Sequence, residues 1–346
     1  MVKKTIFVVS LILVMVVVSG CTSGLFNEDT ETDTGQMVLS IADNAVNDLE
    51  NVFVYIEQVK VHHEDTGWKT INEFEDEDNG MLKVDLLDLR FSEERLGDEI
   101  LQAGKYDKIR LKLAEENNSG NGQGQEYLSR LVFKDNSEMP LKVPAGSEKG
   151  FQIDYDFTVG ENALTEIVLD VDLTKLVFAG RSGKALLNTQ AVSVIDKIYA
   201  GNIIGQVLGE TDDQETPGEV INLNGKDVYV EAYKLEDYNE ESADFVEGAE
   251  PEAISVATTV ATTEAGEERD AGSFMLRGLP EGDYILKTYV GSKVSAEEDE
   301  EDEMEDEIEI DSTIYEAKIV NEAVSVTAGE NTELANPIIL KLKFQN

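Results

Sequence analysis

Cysteine occurs once in this chain, as the last residue of Val18-Ser19-Gly20-Cys21. Lys3 and Lys4 form a basic head, and an apolar run from Ile6 to Val18 leads to the small residues before the cysteine. That order reads as a secretory signal ending in a lipobox, because the run is short for a membrane-spanning helix and small residues mark a cleavage point. The chemistry expected is cleavage between Gly20 and Cys21, attachment of a diacylglycerol to the Cys21 thiol, and acylation of the new amine, with palmitate among the chains. Two or more such chains, at about 0.8 kcal/mol per buried methylene, anchor a protein stably. The expected location is the cell membrane, lipid-anchored at Cys21 and facing the extracytoplasmic side.

Little else in the sequence has the form of a reactive site. Only two histidines occur, His62 and His63. Adjacent residues of a strand point to opposite faces, so the pair cannot chelate one metal, and both are expected at a solvent-facing strand end. Gly180-Arg181-Ser182-Gly183-Lys184 has the wrong spacing for a phosphate loop and reads as a turn. Asp29, Glu31 and Asp33 alternate like the start of a calcium loop, but Gly35 comes one place late and no closing glutamate follows. Paired carboxylates suffice for a glycosidase, yet with 72 Asp and Glu any pairing is uninformative. Trp68, the single tryptophan, is expected in the core rather than flooring a sugar site. No catalytic, cofactor-binding or metal-ligating residue is therefore assigned, no cofactor is expected, and the chain reads as not an enzyme.

The charge balance narrows the partners. Against 72 acidic residues stand 28 Lys and Arg, a net charge of −44, which becomes −46 once Lys3 and Lys4 leave with the signal. Such a surface repels nucleic acid and anionic headgroups, and the compact state repels itself unless salt screens it. With no second cysteine, disulfides are excluded within the chain, so each domain must bury a proper core. The 346 residues, 41% of them apolar, suffice for two.

The elements that would position any site read as strands. Residues 1–20 are the signal peptide and 21–34 a lipidated acidic tether. Beyond them Phe53, Tyr55, Val59 and Val61 share one parity and Val52, Val54 and Ile56 the other, as in a strand buried on much of both faces. Ile109, Leu111 and Leu113 alternate with Lys108, Arg110 and Lys112, placing a basic side outward. Ile167, Leu169, Val171 and Leu173 alternate with Asp170 and Asp172, both of which fall on the wet face in this reading. Only Asp172 to Ala179 has a helical look. Turn clusters at Asp78-Asn79-Gly80, Asn117 to Gln125 and Pro144-Ala145-Gly146 punctuate the strands.

Val38-Leu39-Ser40-Ile41, Val52 to Val61, Trp68, Asp85 to Leu89, Leu101 to Leu111 and Leu141 to Gly146 together resemble the secreted prokaryotic family catalogued as domain of unknown function 4382. The resemblance covers roughly residues 35–198, with Ala42-Asp43-Asn44-Ala45 where that family usually has Asp-Ala-Pro. Val228 to Tyr233, then Gly272-Ser273-Phe274-Met275-Leu276-Arg277-Gly278-Leu279-Pro280-Glu281-Gly282-Asp283-Tyr284 and the closing run Ile338 to Phe344, are similar to a carboxypeptidase regulatory-like, transthyretin-type sandwich. The expected fold is thus all-β, two tandem β-sandwich domains of Ig-like or transthyretin-like form, at 35–199 and 201–346. Ala103-Gly104-Lys105-Tyr106 and Glu281-Gly282-Asp283-Tyr284 give both the same turn. Acidic segments at Glu236 to Glu252 and Glu297 to Glu309 read as loop insertions that cannot order themselves, with weak, diffuse cation binding.

The function expected from these features is non-enzymatic: binding or envelope structure at the cell surface, with an envelope polymer or surface protein as partner. The alternative is a hydrolase or accessory subunit acting on envelope polysaccharide or peptide.

Overall fold

A computed structural model describes residues 33–44, 49–74, 80–114, 116–117, 126–143, 150–179, 183–210, 220–221, 223, 228–239, 244–246, 253–259, 271–294, 307–310 and 315–342. Cys21, Gly20, the signal and most of the tether lie outside these residues, as do Asn118 to Gln125, Pro144 to Gly146 and Gly180 to Ser182. Among the described residues no helix is long and apolar enough to cross a membrane.

The fold is all-β. Runs of β-branched and aromatic residues become strands because their side chains pack well on a pleated, half-buried surface. The helical look of Asp172 to Ala179 reduces to a 3-10 turn, Leu173–Lys175, capped by Asp172 Oδ1 accepting from the Thr174 amide at 3.0 Å; a strand, Val177–Ala179, follows.

One sandwich is built from two sheets. The smaller runs in the order Val192–Asp196, Leu164–Asp172, Thr34–Asn44, Glu94–Gln102. Its central pair is parallel, with Gln36 opposite Leu164. The larger, nine-stranded sheet has Leu49–His63 at its centre, paired with Gly104–Leu113, Arg130–Phe133, Gly67–Glu73 and Leu82–Asp85. Met37, Leu39 and Ile41 from the first sheet meet Val52, Val54, Ile56, Ile109 and Leu111 from the second in one core.

Leu49–His63 differs from the two-faced strand read from its sequence. Val52, Val54 and Ile56 point inward, and then the inward set changes parity to Val59, Val61 and His63. The register against Gly104–Leu113 shifts between Ile56 and Gln58. A β-bulge there inserts one residue, which exchanges the faces and keeps apolar residues turned to the core on both sides of it. Phe53 and Tyr55 are left half-buried on the outer face.

The other sandwich pairs Ala200–Glu210 with Ser273–Pro280, Asn331–Glu333 and Ile338–Leu340 in one sheet, and Gly282–Val294 with Val228–Lys234 and Lys318–Val326 in the other. Ile203, Val207, Val230, Phe274, Leu276 and Leu286 fill a separate core between them.

The two acidic insertions are more ordered than expected where they are described. Tyr238–Asn239 pairs with Asp244–Phe245, and Tyr238 is buried with Phe245 packed on it and on Tyr233, so two aromatics supply the burial that the carboxylates lack. Glu307–Ile310 forms a strand on Gly291 to Val294, whose backbone groups it satisfies. Residues 297–306 lie outside the described set.

The shared Gly-x-Tyr turn is the same device in both sandwiches. Gly104 has φ 146° and Gly282 φ 155°, conformations that side chains rarely adopt. Two residues on, Tyr106 and Tyr284 are each 1% exposed, and their hydroxyls donate to the carbonyls of Gln102 at 2.8 Å and Pro280 at 2.7 Å. Each ring fills core space while its polar tip closes the turn. At Gly104 a Cβ would also lie 2.5 Å from His63 Nε2.

Candidate functional site

Among the described residues two places bring chemically capable side chains together. The first is the outer face of the nine-stranded sheet. His62 and Trp68 stand opposite each other in the antiparallel register, with ring centroids 5.0 Å apart. The Arg110 guanidinium lies over the Trp68 ring at 3.7 Å, and its Nη2 donates to Gln152 Oε1 at 2.8 Å. Trp68 is therefore a half-buried surface ring and not a core residue, because its strand, Gly67–Glu73, turns its inward parity only at Ile71. His62 Nδ1 bonds Asp107 Oδ1 at 2.6 Å, and Lys108 pairs with the other Asp107 oxygen. Hydrogen bonds from Lys108 and His62 hold the Asp107 carboxyl below the usual carboxylate range. Farther along, Lys83 sits over the Phe53 ring at 3.8 Å and Arg130 at 5.0 Å.

His63 departs from the solvent-facing expectation and is 2% exposed. The bulged strand turns it inward, where its Nδ1 accepts the amides of Asp65 and Thr66 at 3.1 and 3.3 Å and its ring meets the edge of Tyr106 at 4.9 Å. By taking both amides His63 ties a turn together.

The second place lies between the two sandwiches. Arg277, from the strand Ser273–Pro280, is 7% exposed and reaches into the turn after Leu86–Leu89. Its Nη2 donates to the carbonyls of Leu89, Arg90 and Ser92 at 2.9, 2.9 and 3.1 Å. Its Nε faces Asp170 Oδ1 at 3.7 Å. Asp170 is thus not on a wet face: only 14% of its side chain is exposed, and burial lifts its carboxyl to about 6 against the pull of Arg277. Asp43, 1% exposed, is raised well above the ordinary range by burial, and neither of its oxygens accepts a hydrogen bond from a described residue. Beside this cluster a cleft of about 280 Å³ is lined by Glu93, Lys197, Asn202, Met275, Arg277 and Asn331, with Lys197 paired to Glu93 at 2.8 Å.

Sequence reading assigned no role to Arg277, Asp170 or Asp43. A signal was present at Arg277, a lone cation in the apolar run Phe274 to Leu279; such a residue is seldom buried unless it is paired. A third cluster is structural. Tyr289 and Tyr233 donate to the two oxygens of Glu231 at 2.6 and 2.7 Å, and burial, followed by the bond to Glu231, raises both hydroxyls so that they remain donors. Among the described residues no group of His, Cys, Asp and Glu has the arrangement of a metal site. Gly183, from the candidate phosphate loop, is a turn residue with φ 59°.

Comparison with curated proteins finds no match. Among solved structures the chain is similar to the minor pilin of Streptococcus agalactiae, at 12% identity over 90% of this chain and 98% of that one, with a TM-score of 0.21. It is similar to the shaft pilin of Lactobacillus rhamnosus GG at 9% identity over 90% and 99%, with a TM-score of 0.21. A Bacteroides fragilis protein provisionally described as acting in cell adhesion gives 12% identity over 91% and 97%, with a TM-score of 0.23. At such TM-scores these proteins lend this chain no residue, ligand or role. By sequence, residues 34–189 match the family model described as Domain of unknown function (DUF4382).

Proposed function

We propose that this chain is a lipid-anchored protein of the extracytoplasmic surface that works by binding or by supporting envelope structure rather than by catalysis. Its first sandwich is the module of unknown function and its second a carboxypeptidase regulatory-like sandwich. The observation that carries this reading is the Arg277 junction. Strongly perturbed titratable groups are where catalysis is first sought. Here two of them, Asp170 and Arg277, are taken up in joining two sandwiches. A guanidinium held by three carbonyls of the other sandwich stiffens the pair into a spacer suited to displaying a surface away from a membrane.

Two measurements test the reading. Cys21→Ser should leave the precursor unlipidated and move the protein out of the detergent phase on partitioning; retention there overturns the anchor. Arg277→Met should loosen the junction, seen as a larger radius of gyration in small-angle scattering, and an unchanged radius overturns the stiff-spacer role. The alternative, a hydrolase or accessory subunit for envelope polysaccharide or peptide, draws on the cleft beside Arg277, where Glu93 is the acidic side chain. It requires turnover of such a polymer by the wild type that Glu93→Gln abolishes.

A further inference from the structure

We propose that the outer face of the nine-stranded sheet binds a carboxylate-bearing sugar chain, with Lys60 and Arg110 taking the carboxylate beside Trp68. Lys60 and Arg110 are directly opposite in the antiparallel pairing of Leu49–His63 with Gly104–Leu113. Like charges so placed destabilise a sheet. On the same strands Lys112 is matched with Glu57 at 2.6 Å and Lys108 with Asp107. Among the described residues neither Lys60 nor Arg110 reaches a carboxylate, in a chain that carries 72 of them. Two adjacent cations with no carboxylate partner among the described residues, in so acidic a protein, are a place suited to receive an anion from outside.

The surroundings narrow the anion. Stacking on Trp68 and the bond to Gln152 hold the Arg110 guanidinium in one orientation, which suits its planar fork to a carboxylate. Trp68, Gln152 and Thr70, the last opposite Lys60, add an aromatic ring, an amide and a hydroxyl, the set that hydroxylated rings engage. A second cation-on-aromatic pair, Lys83 on Phe53, lies seven residues along the central strand, about 20 Å away at strand spacing. An extended polymer can span both. Nucleic acid and dense polyanions are disfavoured by a net charge of −44. A sugar chain with spaced carboxylates meets less of that repulsion, and salt screens the rest.

This inference rests on neither the anchor nor the Arg277 junction, so its failure is separable from theirs. The test uses the full chain in detergent micelles. Trp68 is the single tryptophan, so its fluorescence reports this face directly. Titration with hexamers of galacturonate, glucuronate and mannuronate should give a saturable change with at least one. A neutral galactose hexamer and hexaglutamate should give none. Lys60→Gln and Arg110→Gln should each weaken binding about tenfold, the scale of one charge-assisted contact, whereas Lys112→Gln should leave it within about twofold. Should Arg110→Gln fail to fold, Lys60→Gln carries the test. No response to any uronate, equal binding of the neutral sugar or the acidic peptide, or unchanged binding by Lys60→Gln overturns the proposal.

Discussion

At Asp170 the direction of a pH effect follows from burial. The folded protein holds the carboxyl at about 6, above its ordinary 3.8, so the folded state binds that proton more tightly than the unfolded chain. The stabilisation from protonation is complete below about 4 and is lost as pH rises through about 6, a difference of about 3 kcal/mol between the extremes. Other carboxylates titrate nearby, Asp107 with the opposite sign because its folded value is lowered. The informative quantity is therefore the gap between wild type and Asp170→Asn. Denaturant melts should show the variant gaining on the wild type as pH rises from 4 to 7; a gap constant with pH contradicts the burial argument. At the turns, Tyr284→Phe removes one buried hydrogen bond and should cost about 1 kcal/mol. Gly104→Ala adds backbone strain and a clash with His63, and should cost more, about 1–3 kcal/mol. Equal losses in the two variants contradict that ranking.

Between elements, Arg277 is the sharpest point. Arg277→Ala leaves Asp170 and three turn carbonyls without their cation and should lower stability by about 3–5 kcal/mol in thermal or denaturant unfolding; a loss under 1 kcal/mol would mean that water replaces the guanidinium freely. The strands themselves were legible from period alone, because alternation of apolar and polar residues is what a half-buried strand imposes, as at Ile109, Leu111 and Leu113. What period does not reveal is where it slips. The bulge near Glu57 moves His63 inward, and no residue type there announces it, since a bulge is fixed by pairing with a strand about fifty residues away. Asp170 was misplaced for a related reason: alternation sends it away from the first core but says nothing of a second sandwich covering that face. Trp68 was misjudged because a large aromatic is a core residue by type, whereas here a cation covers it.

Over the whole molecule charge is distributed unevenly. Residues 35–199 carry 17 basic and 31 acidic side chains, a net of −14, and residues 201–346 carry 9 and 37, a net of −28. Raising salt from about 0.01 to 0.15 M shortens the screening length from about 30 to about 8 Å. Melting temperature should therefore rise with salt, and more for a fragment of residues 201–346 than for one of 35–199. Each fragment should unfold cooperatively, since each holds its own core; failure of both to fold alone would mean that the cores depend on each other. Calcium titrated by calorimetry should condense without a stoichiometric end point, and one saturable micromolar site would instead make calcium sensing the leading function.

The parallel pairing of Thr34–Asn44 with Leu164–Asp172 also sets a schedule. Ribosomes deliver a chain from its N-terminus, so Met37, Leu39 and Ile41 emerge long before their partner strand, which begins 128 positions after Gln36. Until then the antiparallel strand Glu94–Gln102 can cover only the opposite edge of that strand, and the edge meant for Leu164–Asp172 stands unpaired. The sandwich thus cannot close progressively; its earliest strand waits for one of its latest, and loop closure on this scale makes folding slow. Ala200–Glu210 repeats the arrangement, its parallel neighbour Ile338–Leu340 beginning 131 positions after Val207, which it faces. A chain stalled before residue 172 would hold an apolar strand edge in the open, the state from which aggregation starts and which a chaperone recognises.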